Sequence, residues 1–477
     1  MEVTSEFLYI LTLIVGFYMA WNIGANDVSN AMGTSVGSGA LSLKKAVFIA
    51  AILEFCGAYF AGNNVSETIQ SGIVDLQIFN TEPLLLVLGM CSALLGTGVW
   101  LQIASYFGWP VSTTHAIVGA VLGFGFVAAG GSSIEWHTVS SIALSWIISP
   151  ALSGLLAYVI FSVLQKKILF AMNPAEATKK LMPFLVFLVL ATFVVSLLFK
   201  GLEQLQFSVA QTIWIALCIG SFGFALTYII LRKYPLISLG YTTNTPSYNP
   251  QDVISLEKAI KHLQRIHLSS KESSQEALGK ILSDIKTLAE HVRLESSFSE
   301  KASAYHNVEK MFGFLQIFTA CFVAFAHGAN DVANAIGPVA AVVDVIKNGT
   351  LAASCAVPSW LLAFGGAGIV LGLATWGWRV IQTIGKKITE LTPTRGFCAE
   401  YGAATTILFA SKLGLPISTT HCLVGAVLGV GLARGMRALN LNTLKEIALS
   451  WVVTIPASAI VSILFFYILK ACFLHGS

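Results

Sequence analysis

The sequence predicts an all-α polytopic membrane protein of about twelve transmembrane segments, arranged as two inverted-topology repeats with broken helices and re-entrant hairpins. Three observations carry that expectation. The 477 residues are 55% apolar and only 11% charged, against roughly a quarter charged in ordinary soluble domains. About twelve stretches approach the ~20 apolar residues needed to cross ~30 Å of hydrocarbon at ~1.5 Å per residue. Two sets of motifs recur at a nearly constant offset. The same composition excludes a soluble enzyme and a disordered chain, the latter being apolar-poor and highly charged. With 28 Lys+Arg against 24 Asp+Glu there is no basic footprint for nucleic acid.

The apolar stretches centre on residues 7–23, 43–62, 83–103, 115–130, 138–164, 182–199, 210–231, 311–327, 351–373, 396–411, 420–433 and 446–470. The first runs into the polar Asn22-Ile23-Gly24-Ala25-Asn26-Asp27 without a small-residue cleavage site, so it reads as a retained helix and not a signal peptide. Several stretches are short and interrupted by Gly or Pro, which lipid tolerates only where protein or a watery cavity satisfies the freed backbone groups. All eight cysteines, Cys56, Cys91, Cys218, Cys321, Cys355, Cys398, Cys422 and Cys472, lie in or beside these stretches with no CxxC pair, so they read as packing residues.

If residue 1 lies outside and each stretch crosses once, the inner loops hold fifteen basic residues: Lys44, Lys45, Lys166, Lys167, Lys179, Lys180, Arg232, Lys233, Arg379, Lys386, Lys387, Arg395, Arg434, Arg437 and Lys445. The outer loops hold four, Lys200, Lys347, Lys412 and Lys470. That asymmetry is a positive-inside signal and puts both termini outside a plasma membrane, or a bacterial inner membrane. Segment 234–310 is the one soluble-looking block. It opens with the loop Tyr241 to Pro246 and continues with helical faces of Leu256, Ile260, Leu263 and His267, then Leu278, Ile281, Leu282, Ile285, Leu288 and Val292, with Ser273 and Glu276 placed as a capping box. It reads as an inner linker hairpin. The domain reading is therefore a first repeat over 1–165, connecting helices over 166–233, the loop over 234–310 and a second repeat over 311–477.

The repeat is visible residue by residue. Gly24-Ala-Asn-Asp27-Val-Ser-Asn30-Ala recurs as Gly328-Ala-Asn-Asp331-Val-Ala-Asn334-Ala. Gly108-Trp-Pro-Val-Ser-Thr-Thr-His115 recurs as Gly414-Leu-Pro-Ile-Ser-Thr-Thr-His421, and Ser145-Trp146 as Ser450-Trp451. Seven stretches separate the starts of the two copies, an odd number, which turns one copy upside down relative to the other. Inverted repeats with interrupted helices are a signature of secondary transporters, whose sites lie near the midplane where the repeats meet.

Asp27 and Asp331 sit at the ends of apolar helices, where a carboxylate is by default a functional hypothesis. The glycines before them would let the backbone unwind, and freed carbonyls with Asn26, Asn30, Asn330 and Asn334 would offer the oxygen ligands a hard cation prefers. Glu54 and Glu400 are the other carboxylates inside apolar stretches, at non-equivalent repeat positions, since Leu94 matches Glu400. Each is either neutral and locally bonded, a cation ligand or a proton carrier. His115, His327 and His421 read first as structural hydrogen-bonding residues.

Pro110 with Ser112, Thr113 and Thr114, and Pro416 with Ser418, Thr419 and Thr420, place a proline and capping hydroxyls at a helix start, with Gly108 or Gly414 turning the chain before it. A re-entrant hairpin follows, its helix N-terminus aimed inward and suited to an anion. No Lys or Arg lies mid-span, so an oxyanion there needs cations to offset its charge beside the carboxylates. Anion and cation would then each promote the other's binding. An enzyme is disfavoured, because no metal-ligand spacing such as HExxH is present, and a channel has no need of two duplicated, interrupted segments.

These duplicated motifs resemble the inorganic phosphate transporter family, of the Pit or sodium-phosphate type, over roughly 7–165 and 311–470. Ser29 in place of the second copy's Ala333 is the one departure within the signature. The resemblance implies symport of inorganic phosphate with sodium or protons, in a homodimer, without a cofactor; some relatives carry sulfate. Sodium is favoured by the four intramembrane carboxylates and neighbouring carbonyls, which supply many oxygen ligands. Carried over, Asn26, Asp27, Ser112, Thr113, Thr114, Asn330, Asp331, Ser418, Thr419 and Thr420 would serve phosphate. Asp27, Asn30, Glu54, Asp331, Asn334 and Glu400 would serve the cation.

Overall fold

The computed structural model describes residues 2–198, 207–233, 250–269, 272–297, 300–348, 357–378, 391–435 and 441–474. The loop Tyr241 to Pro246, Cys355, and the basic residues Lys200, Arg379, Lys386, Lys387 and Arg437 lie outside them. Helices account for nearly all of what is described. In chain order they are α1 (Glu2–Gly37), α2 (Leu43–Ala61), α3 (Asn63–Ser71), α4 (Pro83–Phe107), α5 (Thr113–Ala129), α6 (Trp136–Leu164), α7 (Pro174–Leu198) and α8 (Val209–Lys233). There follow α9 (Pro250–Ser269), α10 (Glu272–Ser297), α11 (Glu300–Asn348), α12 (Ser359–Thr375), α13 (Pro393–Lys412), α14 (Thr419–Ala433) and α15 (Leu441–Leu474).

Each of the twelve apolar stretches has a helix among its described residues, but they are not twelve equal spans. Among the described residues, seven helices are long and apolar enough to cross a membrane, or eight with the α2–α3 pair, which bends by 65°. Helices α5, α12 and α14 have only 17, 17 and 15 residues, short of the ~20 a full crossing needs. Hydropathy reports how apolar a stretch is and is blind to where its helix begins, so it credits these with a full crossing.

The signatures themselves are not broken. Helix α1 continues through Gly24 and Asp27 for 36 residues, and α11 continues through Gly328 and Asp331 for 49. The glycines serve helix contact instead. A Cβ on Gly24 would lie 1.9 Å from Ile369 O of α12, and one on Gly328 would lie 2.1 Å from Glu54 O of α2. The partner helices return the favour: Gly372 would meet Trp21 O at 1.9 Å and Gly57 would meet Phe325 O at 2.0 Å. Thus α1 crosses α12 and α11 crosses α2 in matching fashion, each against a helix of the other repeat. The break that does occur is at Gly62, between α2 and α3.

These elements belong to a compact unit of residues 1–163, 184–225 and 312–477. A second unit comprises 164–183 and 226–311. There α9 and α10 form the amphipathic pair, with Leu256, Ile260, Leu263 and His267 half-buried and Leu282 and Ala289 buried. Ile281 and Leu288 are exposed, so the covered face of α10 is narrower than periodicity suggests. Helix α10 starts at Glu272, which places Ser273 inside its first turn and not at its cap.

Candidate functional site: two hairpin tips against two buried Asn-Asp pairs

In α1, Asp27, Asn30 and Thr34 fall three and four residues apart on one face, and in α11 His327, Asp331 and Asn334 do the same. All six are buried. Asn30 Nδ2 lies 3.1 Å from Asp27 Oδ1, and Asn334 Nδ2 lies 3.4 Å from Asp331 Oδ1. Each amide thereby presents its nitrogen to the carboxylate of its own signature.

Each hairpin meets the Asn of the opposite repeat and the Asp of its own. Gly108 and Gly414 adopt left-handed φ of 68° and 67°, a conformation glycine enters without Cβ strain, and the chain turns into an extended connector. Pro110 and Pro416 lie in that connector, two residues before the caps. They therefore precede the first helical turn that the proline-and-hydroxyl pattern predicts for them, and their fixed φ stiffens the connector instead. Ser112 and Ser418 are the N-caps, accepting from His115 N and His421 N at 3.2 Å. The first-turn threonines then meet the signatures. Asn30 Nδ2 donates to Thr420 Oγ1 at 2.8 Å and Asn334 Nδ2 to Thr114 Oγ1 at 3.2 Å. Thr419 Oγ1 donates to Asp331 Oδ2 at 2.8 Å, and Thr113 takes the matching place toward Asp27. The tips also join each other, Thr114 Oγ1 donating to Ile417 O at 3.0 Å.

Asn26 and Asn330 do a different job. Asn26 Nδ2 donates to Ser105 Oγ at 3.0 Å and lies 3.3 Å from Trp109 O; Asn330 lies 3.0 Å from Ser411 Oγ. Asn26 braces the hairpin turn, whereas the Asn330 amide, in the orientation that satisfies both its atoms, accepts from Ser411 Oγ and donates to Asp331 Oδ1 at 3.1 Å and to Ile417 O at 3.0 Å.

The carboxylates gather unequally. Ligand atoms of Asp27, His327 and Asp331 all lie within 4.8 Å of one another. His327 Nε2 is 2.9 Å from Asp331 Oδ2 and its Nδ1 3.4 Å from Glu54 Oε1, all with fully buried side chains. By the matched glycine crossings, Ile23 stands where His327 does and Ile369 where Glu54 does. One half of the site thus carries an acid–imidazole pair and the other half two isoleucines.

Glu400 is held apart from this cluster. Its Oε1 accepts from Thr34 Oγ1 and Ser35 Oγ at 2.6 Å and from Gln316 Nε2 at 3.0 Å, and Oε2 accepts from Thr319 Oγ1 at 2.7 Å. Thr34, Ser35, Gln316 and Thr319 were not among the residues singled out from sequence. Thr34 is one further turn along the Asp27–Asn30 face, and Gln316 and Thr319 are three apart inside an apolar helix, signals that could have found them. Asp344, also buried, was missed because α11 runs well past the apolar stretch 311–327.

The site's chemistry is that of hydroxyls, amides and carboxylates around two helix N-termini; among the described residues no Lys or Arg is wholly buried, though the Nζ of half-buried Lys412 is shielded from solvent. The model of the phosphate transporter family matches residues 23–462, which spans all of these elements. The chain belongs to the phosphate transporter family. Within this family's reach, the inorganic phosphate transporter 2-1 of Arabidopsis thaliana, a chloroplastic protein, is 44% identical over 97% of this chain and 72% of its own length. A solved structure described as the sodium-dependent phosphate transporter is similar with a TM-score of 0.78 and 36% identity, covering 97% of this chain and 99% of that one. This phosphate transporter family member is accordingly a multi-pass helical membrane protein.

Proposed function

We propose that the chain is a secondary transporter that carries inorganic phosphate inward with a coupling cation, sodium favoured, by alternating access. The observation that carries this is the convergence of two Ser-Thr-Thr helix N-termini on two Asn-Asp pairs, in a buried site with no fixed Lys or Arg. Helix N-termini and hydroxyls hold a tetrahedral oxyanion through N–H and O–H donors. In this reading Ser112, Thr113, Thr114, Ser418, Thr419 and Thr420 contact phosphate, and Asn26 and Asn330 position the two turns. The carboxylates repel phosphate unless a cation lies between them, so Asp27 and Asp331 reach it through the cation. The buried amide oxygens of Asn26 and Asn334, and Glu54 Oε2, have no hydrogen-bond partner, which suits hard-cation ligation. Asn30 and Glu400 complete the proposed cation set, Glu400 as a separate position.

A proton-coupled reading is favoured by one feature, the imidazole of His327 between two carboxylates. Uptake of radiolabelled phosphate into proteoliposomes decides between them, first with a sodium gradient and no pH gradient, then the reverse. Asp27→Asn and Asp331→Asn should each abolish concentrative uptake while the protein remains monodisperse. Unchanged coupled uptake in both variants would sink the assignment of roles. A sulfate competitor in the same assay tests anion choice, and accumulation against a gradient excludes a channel.

A further inference from the structure

Behind the two hairpin tips lies a cluster of four aromatic side chains that the proposed site does not use. His115 and His421 face each other edge to face, centroids 4.4 Å apart at 80°. Trp146 of α6 packs on His115 at 3.9 Å and Trp451 of α15 stacks on His421 at 3.5 Å. In sequence the two halves of this cluster are equivalent.

Their hydrogen bonds are not. Trp146 Nε1 donates to Pro416 O, in the connector of the other hairpin, at 3.1 Å. Its counterpart Trp451 Nε1 is buried without a partner. The imidazoles do not share this difference: His421 Nδ1 lies 3.4 Å from Trp146 O, and His115 has the matching backbone partner at Trp451. Pro110 O, the carbonyl Trp451 would be expected to take, is instead approached by Ser450 Oγ at 3.4 Å. The equivalent Ser145 hydroxyl is turned onto its own helix, at Ile142 O, 2.6 Å away. The indole and serine differences run the same way. A buried indole N–H left unpaired is costly, and the other arrangement of the same residues would pair it.

We propose that Trp146, Trp451, Ser145 and Ser450 form a two-position latch on the hairpin connectors. In the state described, Trp146 holds Pro416 O and Ser450 holds Pro110 O; in the opposite-facing state, Trp451 holds Pro110 O and Ser145 holds Pro416 O. The latch rests on the alternating-access reading above, and it makes the two hairpins exchange roles together, since in either position one connector is held by an indole and the other by a serine. Imidazole packing between the indoles keeps the distance short in both positions. These are positioning residues; none touches the proposed phosphate cradle.

The test is the apparent KM for phosphate measured from each face of the membrane, in oriented proteoliposomes, for Trp146→Phe, Trp451→Phe, Ser450→Ala and Ser145→Ala. Phenylalanine retains a ring against the imidazole and removes the N–H. Losing one such bond should shift the ratio of the two states by about three- to tenfold. Because apparent affinity scales with the fraction of the competent state, KM should fall on one face and rise on the other within a single variant. Trp146→Phe and Ser450→Ala should share one sense, Trp451→Phe and Ser145→Ala the reverse, and the Trp146→Phe/Trp451→Phe double variant should return toward the wild type. KM values that move the same way on both faces, or do not move, overturn the latch. Wild-type uptake in those preparations shows separately whether the transport reading itself holds. The serine variants, which remove only a hydroxyl, keep the test valid should a tryptophan variant fail to fold.

Discussion

Replacing Glu400 by Gln and by Ala separates what its carboxylate does for folding from what its charge does for transport. Four donors converge on it, from Thr34, Ser35, Gln316 and Thr319. The Gln316 amide is fixed in register because Ser38 Oγ donates to its Oε1 at 2.7 Å, so its Nε2 must face Glu400. In Glu400→Ala all four bonds are lost. The hydroxyls can turn onto carbonyls of their own helices, as Thr319 already approaches Gln316 O at 3.0 Å, but the Gln316 amide cannot. Summing lost charge-assisted bonds against that partial recovery, and adding one orphaned donor, gives a destabilisation of about 3–5 kcal/mol. In Glu400→Gln one oxygen keeps its three donors, and the new N–H can donate to Thr319 Oγ1 while that hydroxyl turns to Gln316 O, at a cost of ~1 kcal/mol. Unfolding in detergent should therefore rank wild type, Glu400→Gln and Glu400→Ala in descending order, with the larger gap before Ala. Sodium titration of phosphate uptake should nevertheless show Glu400→Gln with at least a tenfold weaker response to sodium. A Gln variant as unstable as Ala, or one with an unchanged sodium titration, would refute the reasoning.

Two further predictions concern packing and charge. Gly328→Ala drives a methyl to 2.1 Å from Glu54 O, so α2 and α11 must part, a cost of about 1–3 kcal/mol by overpacking, whereas Gly313→Ala, with nothing within 4 Å of its new Cβ, should be neutral or slightly stabilising; thermal unfolding in detergent reads both. His327→Leu leaves Asp331 and Glu54 without the imidazole at 2.9 and 3.4 Å and should cost about 3–5 kcal/mol, while the double variant Glu54→Ile/His327→Ile, which copies the Ile369 and Ile23 of the other half, should recover most of it. Additive losses in the double variant would show that the pair is not coupled.

Much of the candidate site was legible because the sequence carries it twice. The Asn-Asp signatures and Ser-Thr-Thr tips stand out as repeated polar residues in apolar surroundings, and the structure brings them together across repeats. Glu400 was visible as a buried acid, but its partners were not. Thr34, Ser35, Gln316 and Thr319 come from α1 and α11, far from it in sequence and with no second copy to mark them. Helix continuity was misread for a physical reason: in a one-dimensional string, glycine that unwinds a helix and glycine that admits another backbone look alike. Gly24 and Gly328 are of the second kind.

Composition and periodicity by themselves determined that the chain is helical and lives in a membrane, since 11% charge leaves no solvated surface for a soluble fold of this size. The motif offset by itself determined that there are two related halves. Only the tertiary structure decided how those halves exchange partners, with α1 against α12 and α2 against α11, because contact between glycine faces depends on crossing geometry. It alone decided that His327 joins Glu54 to Asp331 while Ile23 and Ile369 fill the matching place, and that Trp146 is bonded where Trp451 is not. The first asymmetry lies in the residues themselves and the second between residues that match; both become visible only where helices distant in sequence cross, because residue order does not show which side chains meet.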